Sequence, residues 1–166
     1  VGIGFSLLFE MNTLFEEYVA RMLRRALRDS GLRVSSQGGG LYCLEDVSDG
    51  VSRFMTRPDI IVSEGRRTAF IIDTKWKRLS ARIDDPKQGV SQSDIYQMMA
   101  YGRIYGCPRL ALLYPHHQQL HATEGVLSQH RIVSSQDMIL TATLDVSKSS
   151  GIETALLQIC QTALGK

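Results

Sequence analysis

Cysteine is scarce in this 166-residue chain and poorly spaced for chemistry: Cys43, Cys107 and Cys160 stand far apart, odd in number and without a Cys-x-x-Cys pair. That argues against a disulfide framework and a cysteine zinc site, and it fits a reducing cytoplasm. Long apolar runs are missing as well. The opening Val1-Gly2-Ile3-Gly4-Phe5-Ser6-Leu7-Leu8-Phe9 is apolar but short, has no basic flank and runs into charged residues, so neither a signal peptide nor a membrane span is expected. There is no initiator Met, which suggests a piece of something longer. Internal repeats and low-complexity tracts are absent. Charge bias is small, with 19 Lys and Arg against 17 Asp and Glu and a formal net charge of +2, too little to announce a nucleic-acid partner on its own. Distribution says more: Arg21, Arg24, Arg25 and Arg28 crowd one segment, and Lys75, Lys77, Arg78 and Arg82 another.

What the chain does have is 43% hydrophobic residues, enough for one globular domain spanning residues 1–166. Apolar residues recur at helical spacing from Asn12 to about Arg28, with Asn12 or Thr13 as N-cap and Gly31 just past the end. Leu32 to Ser36 reads as a strand, Gln37 to Gly40 as a turn and Leu41 to Leu44 as its return arm. A second helix, capped by Ser91 or Ser93, runs to Tyr105, and Arg109 to Tyr114 is a further strand. Late strands are expected near Arg131 to Val133 and over Ile139 to Val146, before a last helix from Ile152 to Leu164. The polar stretch from about Ser80 to Ser91 is expected to move or to order on a ligand. The pattern is an α/β layout with a mixed β-sheet flanked by helices, in two layers or three.

Two strands between these elements carry charge where charge is costly. Arg57-Pro58-Asp59-Ile60-Ile61-Val62 is followed, after the turn Glu64-Gly65-Arg66-Arg67, by Ala69-Phe70-Ile71-Ile72-Asp73-Thr74-Lys75-Trp76. Counting back along the hairpin brings Asp59 opposite Asp73, or one position off. Strand alternation then puts Ala69, Ile71, Asp73 and Lys75 on one face, with Phe70 and Ile72 on the other. Such a strand, apolar on both faces, belongs in the middle of its sheet. A carboxylate taken out of water unpaired costs several kcal/mol and a second one adds repulsion, so protons or cations must neutralise the pair. Two carboxylates, the Thr74 backbone carbonyl and water make an all-oxygen donor set suited to Mg²⁺ or Mn²⁺. A divalent ion beside an ammonium suits phosphodiester hydrolysis, and nearby Arg and Lys residues suit phosphate.

These residues resemble the PD-(D/E)xK nuclease superfamily, in which a Pro-Asp on one strand meets an Asp/Glu-x-Lys on the next. With Phe9-Glu10-Met11-Asn12, Leu14-Phe15-Glu16-Glu17-Tyr18-Val19, Asp73-Thr74-Lys75-Trp76-Lys77 and Asp94-Ile95-Tyr96-Gln97-Met98-Met99-Ala100-Tyr101, the likeness extends to the McrC nuclease family of McrBC restriction systems, over roughly Phe9 to Pro115. The resemblance implies a restriction-endonuclease-like core, Mg²⁺-dependent cleavage of double-stranded DNA, and an McrB-like AAA+ GTPase subunit that engages a region absent here and drives the cut. Asp59, Asp73 and Glu16 are implied as metal ligands and Lys75 as the group that positions or activates water. Gln97 and Tyr101, on one helix face, match a Gln-x-x-x-Tyr pattern and are implied to hold a phosphate or the lysine.

Competing readings exist for each of these residues. Glu16 alone reads as a solvated helix carboxylate, and Glu17 stands ready to replace it. Gln97 and Tyr101 read as helix packing, and the first-helix arginines as its wet face. His116, His117 and His121 sit in a loop or edge strand and are not expected to bind metal. Trp76 is expected as a packing anchor and Cys107 as a small buried hydrophobe. Two other functions fit the same motif: a standalone RecB-like repair or recombination nuclease, and a degenerate nuclease fold that only binds nucleic acid or a partner protein.

Overall fold

The computed structural model describes residues 3–80, 87, 89–133 and 135–165, with side chains from residue 11 onward. Its elements run α1 (Ile3–Ala26), β1 (Leu32–Ser36), β2 (Tyr42–Glu45), β3 (Ser52–Met55), β4 (Ile60–Glu64), β5 (Arg67–Thr74), α2 (Gln92–Tyr105), β6 (Arg109–Pro115), β7 (Gly125–Arg131), β8 (Met138–Leu144) and α3 (Ile152–Leu164). Six strands form one mixed sheet in the order β1-β4-β5-β6-β8-β7, and β2 pairs with β3 alone. β5, β6 and β8 are parallel, whereas β1, β4 and β7 run against their neighbours. The expected α/β architecture, with helices flanking a mixed sheet, is what the chain adopts.

The alternation of β5 sorts the core into two layers. Phe70 and Ile72 join Leu23 of α1 and Leu156 of α3 in one cluster, while Ile71 joins Met98 and Tyr101 of α2 in the other. Helices therefore cover both faces, α1 and α3 on one and α2 on the other, which makes three layers. β5 is interior and buried along most of its length, as its apolar faces require.

Several expected elements end up elsewhere. The first helix begins at Ile3 rather than Asn12, because the Asn12 side chain does not cap it but accepts a 3.3 Å bond from the Trp76 amide. The segment read as β1's return arm pairs instead with β3, and the edge of β1 is taken by β4. β3 carried no alternation signal; its residues are exposed and Phe54 sits at φ +60°, a left-handed backbone rare for an aromatic. The late strand expected near Arg131 to Val133 lies earlier, at Gly125–Arg131, and β8 ends at Leu144. Most of the polar stretch from Ser80 to Ser91, including Arg82, falls outside the described residues.

The turn after β1 packs tightly on α2. Gly39 has φ +105°, and a β-carbon there would lie 2.3 Å from the Tyr105 hydroxyl, so only glycine fits both the backbone and the space. That hydroxyl also meets Thr56 Oγ1 at 2.8 Å, which ties the stem of the β2-β3 hairpin to the helix. No helix among the described residues is long and apolar enough to cross a membrane.

Candidate active site

The hairpin register decides how the acids meet. Ser63 faces Thr68 and Glu64 faces Arg67 near the turn, whereas Val62 faces Phe70 and Ile60 faces Ile72 beyond it. Ala69 is therefore an extra residue, a β-bulge, and it advances β5 by one position. Continuing the register from Ile60 and Ile72 sets Asp59 opposite Asp73; without the bulge Asp59 would face Ile72. Ala69, expected on the face of Ile71, is consumed by that bulge, while Ile71 takes the α2 side.

Asp59 sits just ahead of β4, and its Oδ2 accepts both the Thr74 amide at 2.7 Å and the Thr74 hydroxyl at 2.8 Å. The amide of Gln37, a residue held at φ +50°, donates to the Asp59 backbone carbonyl at 2.8 Å and pins the Pro-Asp segment from the other side. Asp73 is 2% exposed, and its Oδ2 lies 2.6 Å from Lys75 Nζ. At that separation a buried carboxylate and an ammonium form a close ion pair. The Lys75 ammonium reaches Gln97 Oε1 at 3.1 Å, Gln97 Nε2 donates to the Tyr101 hydroxyl at 3.0 Å, and that hydroxyl donates to the Arg57 carbonyl at 3.2 Å. The Gln-x-x-x-Tyr pair thus braces the lysine and the Pro-Asp strand rather than serving only as packing.

Glu16 comes from α1, one residue after Phe15, whose ring packs 5.3 Å from Trp76. Trp76 is a packing anchor on the α1 side, opposite Lys75. Glu16 Oε1 is buried and has no partner, whereas Glu17 is exposed. Burial, the Asp59 charge and to a lesser degree Glu17 and Asp73 push the Glu16 carboxyl up to about 7, against a pull from Gln37. Burial and the Asp59 charge push Asp73 up to about 6 despite Lys75, and burial raises Asp59 too. For Lys75 burial favours the neutral amine, but Asp73, Asp94 and Asp59 outweigh it and hold the group above its usual range. The site thus stores unbalanced negative charge around a protonated lysine.

Among the described residues, no three His, Cys, Asp or Glu side chains stand close enough together to ligate a metal ion as they are. Asp59 is committed to Thr74 and Asp73 to Lys75. The three histidines are apart in function: His116 Nδ1 meets Thr143 Oγ1 at 3.0 Å, His117 Nε2 meets the Leu79 carbonyl at 3.1 Å, and His121 is exposed. Cys107 is buried, its thiol donating to the Arg109 carbonyl at 3.0 Å. On α1, Arg24 is spent on Val34 and Ser36 and Arg25 on Glu153, while Arg21 on the helix and Arg28 in the turn after it are exposed.

Residues 2–115 match the model of a family described as "McrBC 5-methylcytosine restriction system component". The chain belongs to that family. No curated protein sequence matches it. Among solved structures, this McrBC-family chain is similar to a chain in the refined half-complex from the tetradecameric assembly of Thermococcus gammatolerans McrB AAA+ hexamers with bound McrC, with a TM-score of 0.67 and 14% identity. The match covers 92% of this chain and 33% of that one, so the chain spans about a third of that protein's length. At that identity the likeness speaks for the fold. Asp94 and Gln37 are the residues around the site to which sequence reasoning gave no role: Asp94 entered only as part of the stretch that resembles the McrC family, and Gln37 only as the start of a turn.

The raised carboxyls set a pH signature. Acids whose folded pKa is raised bind protons more tightly folded than unfolded, so stability falls as pH climbs from the unfolded values through the folded ones. For Glu16 that window runs from 4.5 to about 7 and for Asp73 from 3.8 to about 6. The lowered acids Asp94, Glu124 and Asp145 already contribute in full above their ordinary range, so they do not mask it. Thermal melts in EDTA from pH 5 to 7.5 should show a falling midpoint, less steep in Glu16→Gln. A midpoint that is flat in both proteins would refute the electrostatic picture.

Proposed function

We propose that this chain is the nuclease domain of an McrC-type subunit, a Mg²⁺- or Mn²⁺-dependent enzyme that hydrolyses phosphodiester bonds of double-stranded DNA, working in the cytoplasm with an McrB-like AAA+ GTPase. The observation that carries this reading is the buried pair Asp59 and Asp73, with the Glu16 carboxyl close enough to be raised by both charges, its Oε1 buried without a partner, and the Lys75 ammonium 2.6 Å from Asp73 Oδ2. A buried anionic cluster with an orphaned oxygen at Glu16 suits a hard divalent cation, and an all-oxygen set suits Mg²⁺ or Mn²⁺. Glu16, Asp59, Asp73 and the Thr74 carbonyl would hold it. The bound cation supplies Lewis acidity and offsets the carboxylates' mutual repulsion.

The chain's own groups have distinct tasks. Asp73, Asp94 and Asp59 favour the charged form of Lys75, which suits a positive charge that steadies the developing phosphoryl anion and orients water. Gln97 and Tyr101 lock its reach by spanning from α2 to the Arg57 carbonyl. Exposed Arg21, Arg28 and Arg78 are among the side chains available to a phosphate backbone, so affinity should fall steeply with salt.

Calorimetric titration with Mn²⁺ tests the site without requiring turnover, and relaxed or supercoiled circular DNA with Mg²⁺ tests the chemistry. Binding that is lost in Asp73→Asn, together with nicking of circles, supports an endonuclease. Activity confined to free ends would mark an exonuclease, and no binding of either Mn²⁺ or DNA would overturn the proposal.

A further inference from the structure

Asp94 stands in the first turn of α2, and its two carboxylate oxygens face two different lysines. Oδ2 lies 2.7 Å from Lys77 Nζ, and Oδ1 lies 3.6 Å from Lys75 Nζ. The side chain is well shielded, at 13% exposure, and the Ser91 hydroxyl that accepts the Asp94 amide fixes the turn that carries it. Burial alone would favour the protonated acid, but Lys77, Ser91 and Lys75 more than reverse that and keep it ionised. The Lys75 ammonium therefore faces two carboxylates and one amide oxygen on two elements: Asp73 of β5 on one side, Gln97 and Asp94 of α2 on the other. Charge and hydrogen-bond partners on both sides of an ammonium restrict where it can point.

We infer that Asp94 is the positioning residue of Lys75: its Lys77 contact fixes the carboxylate, and the other oxygen keeps the Lys75 ammonium tied to α2 whenever Asp73 is engaged elsewhere. The inference rests on the nuclease reading, in which Asp73 must give its oxygen to a cation. If Asp73 were the only anion near Lys75, the lysine would be released at the moment its charge is needed. Asp94 supplies a second, independently anchored anion on the rigid helix that also carries Gln97. The plain alternative is a helix N-terminal acid that pairs with Lys77 and helps hold DNA; it predicts different couplings.

The test uses Asp94→Asn, which keeps the shape and removes the charge, and Asp94→Glu, which keeps the charge, each alone and in Lys75→Met and Lys77→Met backgrounds. One readout needs no activity: the extent of Lys75 acylation by an N-hydroxysuccinimide acetate, read by mass spectrometry. Asp94→Asn should raise labelling of Lys75, with Asp94→Glu closer to the parent. In cleavage assays Asp94→Asn should lower kcat by about ten- to a hundredfold, as small misplacements of a catalytic group do, with KM within about twofold. The loss should disappear in the Lys75→Met background and persist in Lys77→Met. Unchanged Lys75 labelling, or a loss that vanishes with Lys77 and appears in KM, overturns the inference. A parent protein that binds neither Mn²⁺ nor DNA defeats the nuclease reading, while the labelling result still decides whether Asp94 holds Lys75.

Discussion

Lys75→Met and Asp73→Asn should each lower the DNA cleavage rate by about two to three orders of magnitude, the scale seen when one preorganised electrostatic group is removed. The two losses have different origins. Lys75→Met removes the ammonium that meets both Asp73 and Gln97, so the developing negative charge loses its compensating partner. Asp73→Asn removes an anion that is 2% exposed and so weakens cation capture, which additional Mn²⁺ should partly restore. Rescue by Mn²⁺ should therefore appear for Asp73→Asn and not for Lys75→Met. Gln97→Ala should be milder, because Asp73 and Asp94 remain beside the lysine. Equal rates for parent, Lys75→Met and Asp73→Asn, read on circular DNA with Mg²⁺, would remove Asp73 and Lys75 from the chemistry.

The core of this arrangement was legible in the sequence because Asp59, Asp73 and Lys75 interrupt strands otherwise apolar on both faces, and burial makes such interruptions costly. The hairpin turn was legible as well, but the final register was not. It depends on the Ala69 bulge, which no local signal announces and which alone separates an Asp59-Asp73 pairing from an Asp59-Ile72 one. α2 and α3 followed from periodicity and punctuation, with the Ser91 cap and Gly106 in the left-handed conformation. α1 was misjudged at its start because Asn12, a good cap by type, is recruited by the Trp76 amide. β3 escaped, β2 was legible as a strand but not in its pairing, and β7 was expected too late, because their residues are half-buried or exposed and strands that bury no face show no alternation. Asp94 and Gln37 were hidden for a related reason. Their roles come from long-range neighbours, Lys75 for one and Asp59 with Glu16 for the other.

Asp59 should separate structure from chemistry in a way the other acids do not. Asp59→Asn and Asp59→Ala should both lose cleavage, since neither offers an anion, yet their stabilities should diverge. Asn retains a side-chain oxygen for the Thr74 amide and hydroxyl, which now meet Asp59 Oδ2 at 2.7 and 2.8 Å; Ala leaves both donors, on a residue only 8% exposed, without an acceptor. An orphaned buried donor costs about 1–3 kcal/mol, and for a chain of this size each kcal/mol moves the midpoint by roughly 2–4 °C. Asp59→Ala should thus melt several degrees below Asp59→Asn at the same pH. Asp59→Asn itself should melt at or above the parent in EDTA near pH 7.5, because it keeps the strand tie and relieves the charge that raises Glu16 and Asp73. Adding Mg²⁺ should stabilise the parent and not Asp59→Asn, reversing their order. Identical midpoints for the Asn and Ala variants would mean that the Thr74 contacts contribute nothing to stability. A parent midpoint indifferent to Mg²⁺ would mean that the carboxylates are not held in wait for a cation.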